Sequence, residues 1–452
     1  MIGGIGGILY LYRYFSKKYT ILVKTVLKDY GFLFLGGLHV ILVLMAISLL
    51  GAGMKGDSAF YIQIAEGFSS AIFFDPLLNW KFGPAYPFFL VIVGSWNAYN
   101  LYWIASIQAI LFVLAIRKLC KGLFPGDDLR AVSLTLFGII MLAPNFILTN
   151  ATLMSESLCS SLILLIYYMV FLSKNRHRDI WASFLAGALI MIRYEMLMFV
   201  AIIAFVALIW RQIYSLKQIA VWLSIPVVFL ILNSWKNNMT YSVPSPTGFS
   251  GWAVIYAGNN FSGDGSWHPH VHYKIGYIAP EYLIKYEVSI DSGGVGEKIM
   301  NQNALFREMV FASWEQDSWK QIKAIPIKLL RTILLPADLD IYTMTPPKQN
   351  KGVRIADHFG SSYSMLGNIK HAVFIGAHWL LLIGILLGIL KLIKIKETNM
   401  HYERFYWLSI LSITSVALVY SIVLYGLPRF NAAWLPLLAI NIGFFIRSRM
   451  GL

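Results

Sequence analysis

The sequence is poor in charge: of its 452 residues only 13% are Asp, Glu, Lys or Arg, about half the share of an ordinary soluble protein. With 58% hydrophobic residues and a mean hydropathy of +0.65, one water-soluble domain of this length could not hide its apolar surface. Cysteine is nearly absent, at two residues, which excludes a disulfide-stapled scaffold. Acidic residues are few beside basic ones, and the formal charge is +15. P-loop, zinc-finger and nucleophile-elbow spacings are missing, and so is any fixed-period repeat. What these absences leave is an all-α polytopic membrane protein.

Backbone groups in hydrocarbon must be paired within their own segment, so long apolar runs read as helices of about 20 residues. The clearest are Phe32–Ala52, Ala131–Thr149, Leu153–Leu172, Ile219–Trp235, Ile369–Leu390, Tyr406–Leu424 and Ala432–Ile446. Pro84–Lys118 is too long for one span and reads as a half-inserted piece, Pro84–Trp96, followed by a crossing, Leu101–Leu119. Trp181–Trp210 is interrupted by Arg193-Tyr194-Glu195 and reads as two short bent spans. The expectation is a bundle of about ten transmembrane helices (range 10–13), with juxtamembrane helices and a large external loop. Three parts follow: an N-terminal core over 1–235 with a first external loop at 55–83, the large external loop over 236–368, and C-terminal helices over 369–452.

Ten crossings with the N-terminus inside put 20 basic and six acidic groups on the inner face, and 17 basic and 16 acidic groups elsewhere. This is the loop bias that orients helical membrane proteins, with both termini cytoplasmic. The positive charge therefore reports orientation and gives no reason to infer a nucleic-acid partner. By the same topology Cys120 is cytoplasmic and Cys159 lies within a span, so no disulfide is expected. Within the large loop, Ile322–Leu335 intersperses Lys323, Lys328 and Arg331 among apolar residues, as a helix lying in the interface would.

Several residues could carry chemistry on the outer side. Asp57 opens a stretch in which Tyr61, Ile64 and Ala65 follow at helical spacing. It is either the N-cap of a juxtamembrane helix or a general base held at headgroup depth. Glu156, Arg193 and Glu195 are charges at or inside spans, where they mark an ion pair, a cavity or a pathway. An Arg193–Glu195 or Arg193–Glu156 pair would brace the bent spans, and anion binding by the same guanidinium is compatible with it. Arg429, behind Pro428, is a snorkelling anchor or a rigidly placed phosphate ligand. His268, His270 and His272 alternate, a spacing that admits a divalent metal on a strand face, but Pro269 and the lack of a second cluster oppose it. No other cofactor is implied.

Taken in order, Gly56-Asp57-Ser58, Phe82 to Phe88, Met154 to Leu158, Met191 to Glu195, Trp252 to Asn260 and Pro428-Arg429-Phe430 running to Pro436 form a recognisable set. The set resembles the GT-C superfamily of integral-membrane glycosyltransferases, in particular protein O-mannosyltransferases and lipid A aminoarabinose transferases. The resemblance implies an enzyme that moves a sugar from a polyprenyl-phosphate carrier to a glycan, lipid or protein acceptor on the outer face. It implies Asp57 as base, and Arg193, Arg429 and Lys81 facing the carrier phosphate. Tyr61, Tyr86, Glu156, Glu195, Asn259, Asn260 and His268 would line the substrate site. The sequence departs from the pattern in lacking a paired loop carboxylate and a Trp-Trp-Asp signature. Membrane lipids are the remaining expected partner, and a bacterial inner membrane the expected location. An O-antigen polymerase or ligase using a diphosphate donor and a polyprenyl-linked sugar transporter are the alternatives.

Overall fold

The computed structural model describes residues 22–50, 58–67, 83–94, 100–209, 215–249, 251–260, 282, 285, 288, 293–334, 365–394, 400–423 and 432–450. Every regular element among them is helical. In chain order these are α1 (Leu22–Leu50), α2 (Ser58–Glu66), α3 (Ala85–Gly94), α4 (Leu101–Leu123), α5 (Arg130–Leu142), α6 (Pro144–Ala151) and α7 (Ser155–Tyr167). They continue with α8 (Arg178–Ile192), α9 (Met196–Ile209), α10 (Leu216–Tyr241), α11 (Gly251–Gly258), α12 (Val295–Gln316) and α13 (Ser318–Leu334). Last come α14 (Met365–Lys394), α15 (Met400–Val423), α16 (Leu435–Ala439) and α17 (Ile442–Met450).

Five stretches in these helices are long and apolar enough to cross a bilayer: Tyr30–Ser48, Leu101–Leu123, Ser155–Leu172, Leu216–Tyr241 and Ala372–Lys391. The pair α5–α6 makes a sixth if its 57° bend lies within one span. The bend falls at Pro144, which takes the first position of α6, where its missing N–H costs nothing. These are the dimensions of an integral membrane protein. The other four expected crossings fall on α8, α9, α15 and the pair α16–α17, none of which is long and apolar enough among the described residues. Five or six candidate spans therefore stand where about ten were expected.

Helix α7 lies at the centre, packed on α4, α6, α8 and α16. Small side chains make this close approach feasible: Ser155, Ser157, Cys159, Ser160 and Ser161 are all buried. Ser160 Oγ donates to the carbonyls of Ala432 and Ala433 at 2.7 and 3.0 Å, tying α7 to the segment that leads into α16. Tyr168–Leu172 extends α7 by a π-turn, closed by Ser173 N–H to the Tyr168 carbonyl at 2.8 Å. Cys120 and Cys159 are both buried thiols. Large apolar side chains point outward along α1, α10 and α14, including Phe34, Ile231 and Leu386, as helices facing lipid require.

Helix α13 reverses the usual arrangement. Its buried stripe is Gln321, Ala324, Lys328 and Thr332, whereas Trp319, Ile322, Ile327 and Leu330 are exposed. A helix covers the expected stretch from Ile322 to Leu334, but Lys328 faces the protein interior. Its stem is held on the inner face by the packing of α13 on α12, α14 and α15. His378 and Trp379 of α14 cap the end of α13: His378 Nε2 lies 2.9 Å from the Ile333 carbonyl, and Trp379 Nε1–H donates to that of Leu334 at 3.1 Å.

Gly83 sets the position of α3. A Cβ there would collide with the Met191 carbonyl oxygen, a backbone atom that cannot swing aside. Gly83→Ala is therefore expected to destabilise the protein by about 1–3 kcal/mol, as overpacking does. At Gly251 a Cβ meets nothing within 4 Å, so Gly251→Ala serves as control. Thermal unfolding in detergent should show a lowered Tm for the first variant alone.

Candidate functional site

The last turn of α8 ends at Arg193, whose backbone is extended (φ −142°, ψ 112°), and α9 starts at Met196. The intervening Arg193-Tyr194-Glu195 is the break expected between two short apolar helices. Arg193 Nη1 donates to Glu156 Oε1 at 2.5 Å, while Nη2 and Nε converge on Glu195 Oε1 at 2.5 and 2.6 Å. Both pairings left open by the sequence thus exist together. Arg193 is 9% exposed, Glu156 is buried, and the Glu195 side chain is 29% exposed.

Each of these charges sits at a favourable helix end. Arg193 caps the C-terminus of α8, Glu156 lies in the first turn of α7, and Glu195 immediately precedes α9. Cations are stabilised at C-termini and anions at N-termini, where backbone carbonyls and amides lack helical partners. The local chain path therefore helps to hold Arg193 and Glu156 away from water, with Glu195 at the edge of the group.

A polar layer supports this group. Tyr61 OH lies 3.1 Å from Ser155 Oγ, which reaches Glu156 Oε2 at 3.4 Å. The Tyr61 and Tyr86 rings meet edge to face with centroids 4.7 Å apart. Tyr86 OH donates to Gln108 Oε1 at 2.7 Å, and Gln108 Nε2–H donates to the Thr152 carbonyl at 3.1 Å. Ser58 Oγ donates to the Leu153 carbonyl at 2.8 Å, fastening the start of α2 to the α6–α7 junction. The sequence reading missed Gln108; its signal was a lone amide in the apolar run Leu101–Leu119.

The structure brings together Tyr61, Tyr86, Glu156, Arg193 and Glu195. Asn259 and Asn260 belong to a second polar group, formed where α11, α12 and α13 meet. Both are buried. Asn259 Oδ1 accepts from Lys328 Nζ at 3.1 Å, its amide donates to the Ile255 carbonyl at 3.0 Å, and its own carbonyl accepts from Ser313 Oγ at 2.6 Å. Asn260 Nδ2–H donates to the Ala257 carbonyl at 3.1 Å, and its carbonyl accepts from Gln321 Nε2–H at 2.8 Å. These contacts fix both side chains within the protein. Asp57, Lys81, His268 and Arg429 lie outside the described residues. So do His270 and His272; among the described residues no group of three His, Cys, Asp or Glu side chains could hold a metal ion.

No family model matches the chain, and no curated protein matches it either.

Chemically, the first group is a guanidinium between two carboxylates, with a net charge of −1 when all three are ionised. It can position a partly exposed carboxylate, Glu195, at the break between α8 and α9. In the second group, burial pushes the Lys328 ammonium down to about 8, because removal from water disfavours the charged form.

Two expectations follow from these environments. Arg193→Met leaves the buried Glu156 carboxylate without its counter-charge and should cost about 3–5 kcal/mol. Adding Glu156→Gln should recover a large part of that loss, as a double-mutant cycle on thermal or denaturant unfolding would register. Lys328, in turn, binds its proton less tightly when folded than when unfolded. Its contribution to stability should therefore rise as pH increases from about 8 towards the unfolded lysine value of about 10.4. Comparing Tm against pH for the wild type and Lys328→Met should show this upward component in the wild type only.

Proposed function

We propose that the chain is an integral-membrane glycosyltransferase of the GT-C type, acting on a polyprenyl-phosphate-linked sugar at the outer face of the membrane. The observation that carries this reading is the convergence of motif stretches far apart in sequence. Ser58 and Tyr61, Gly83 to Tyr86, Ser155-Glu156, Met191 to Glu195 and Ala432-Ala433 all gather around the N-terminal half of α7. Their meeting point is a buried ion group at the end of apolar helices. A lipid-linked donor needs its polar machinery at such a place, because its isoprenoid tail stays in the bilayer while its phosphate stays at headgroup depth.

In this reading the six long or bent spans are joined by α8, α9, α15 and α16–α17 as shorter crossings. That makes ten, and both termini lie on the basic, cytoplasmic side of a bacterial inner membrane. Asp57, the residue before Ser58, takes the proton of the acceptor hydroxyl. The acceptor oxygen bonds to the anomeric carbon as the bond from that carbon to the phosphate oxygen breaks. The electron pair leaves with the phosphate, and the configuration inverts. Arg429 and Lys81 stabilise the departing phosphate. The Glu156–Arg193–Glu195 group, already charge-neutralised at its centre, orients the outer ends of α7 and α8 and offers Glu195 as an acceptor for sugar hydroxyls.

The test is sugar transfer by purified protein from polyprenyl monophosphate and diphosphate donors. Asp57→Asn is expected to fold and bind donor as the wild type does and to lose most turnover, about 100-fold or more for removal of a general base. Wild-type turnover by the Asp57→Asn variant would refute the assignment of the base. Transfer from the diphosphate donor alone would favour a polymerase or ligase instead.

A further inference from the structure

Two Lys or Arg side chains are buried among the described residues, and their surroundings differ. Arg193 is held by two carboxylates. Lys328 is 0% exposed, and its ammonium donates to the neutral Asn259 Oδ1 at 3.1 Å. Among the described residues no carboxylate forms an ion pair with it. Ammonium groups have three N–H donors, so a single carboxamide oxygen leaves two of them to be met. Gln321, 1% exposed on the same buried stripe of α13, donates Nε2–H to the Asn260 carbonyl, while its Oε1 has no hydrogen-bond partner among the described residues.

The unmet needs are thus a cationic donor and a neutral acceptor on the same buried stripe of one helix, two turns and about 10 Å apart along its axis. Water meets both weakly and leaves the charge uncompensated. An inorganic anion is too small to span the two helical turns, about 10 Å, between them. A phosphate ester carrying a hydroxyl meets both. We propose that Lys328, Gln321 and Asn259 form a binding site for a hydroxyl-bearing phospholipid or lipid-linked sugar phosphate. Lys328 contributes the positive charge, Asn259 holds the ammonium in place, and Gln321 Oε1 accepts from the hydroxyl. Lys328, Gln321 and Asn259 are all buried, so occupancy requires α13 to shift against α11. The outward apolar face of α13, with Trp319, Ile322, Ile327 and Leu330, places the helix against the bilayer from which such a ligand arrives. This inference deepens the transferase reading and rests on it for the identity of the ligand as a sugar donor.

The experiment measures binding to the full-length protein in phosphatidylcholine nanodiscs. The probes are a polyprenyl monophosphate, the same lipid carrying a hexose, phosphatidylglycerol and inorganic phosphate. Lys328→Met is expected to weaken both polyprenyl lipids about tenfold or more, as loss of a charge-assisted hydrogen bond does. Gln321→Leu should weaken the glycosylated lipid and spare the unglycosylated polyprenyl phosphate, and Lys328→Arg should retain most of the affinity. Thermal unfolding of each variant checks that it is folded. Wild-type affinity in folded Lys328→Met for every probe overturns the site, while the transferase reading then still stands on turnover. Lys328-dependent binding of phosphatidylglycerol without either polyprenyl lipid supports the site, makes the bulk bilayer its source, and counts against the transferase reading.

Discussion

A guanidinium removed from water must have counter-charge close by, and much of this architecture is arranged around that demand. Arg193 receives carboxylates from both sides, one from the start of α7 and one from the residue before α9. For both to reach it, the C-terminus of α8 and the N-termini of α7 and α9 must meet at one place. The helix dipoles favour that arrangement, because each charge lies at the end of matching polarity. Gly83 then lets α3 approach the last turn of α8, and Ser58 and Tyr61 fasten α2 over the start of α7. Helices α2 and α3, which bring Tyr61, Ile64, Tyr86 and Leu90 into the core, thereby pack against the elements that carry the ion group.

The same neutralisation bears on the chemistry. Each carboxylate on Arg193 lessens the attraction left for a phosphate, so an arginine paired twice is better suited to shaping a site than to supplying its positive charge. Lys328 has the opposite character, being buried against an amide with no carboxylate paired to it among the described residues. The polar groups around Arg193 and around Lys328 lie on different helices but are linked through α15, which packs on both α9 and α13. Under the proposed function, the ion group would position the site and the buried cation would meet the lipid-linked anion.

Parts of the candidate site were legible in the sequence. An arginine and two glutamates in otherwise apolar stretches are costly enough that pairing is the natural inference, and the break at Arg193-Tyr194-Glu195 was visible as polar residues within one hydrophobic run. The helix from Ser58 was visible in the spacing of Tyr61, Ile64 and Ala65, all of which are buried. Lys328 was not legible. Its neighbours read as an amphipathic helix with lysines at the water boundary, and nothing local distinguishes a lysine that snorkels outward from one turned inward. The roles of Asn259 and Asn260 were equally hidden, since an amide beside a helix end can face a ligand or a neighbouring carbonyl.

Local composition by itself determined the helical class, the places where long apolar spans run and the points where polar residues interrupt them. These follow from the cost of unpaired backbone and charge in hydrocarbon, which acts segment by segment. Tertiary structure alone decided that Glu156 and Glu195 share one arginine, that Tyr86 leans on Gln108, and that the polar stripe of α13 faces inward. Such outcomes depend on which distant side chains come within a few ångströms of each other. Hydropathy carries no record of that, because the same residue is compatible with lipid, water or a partner until the helices pack.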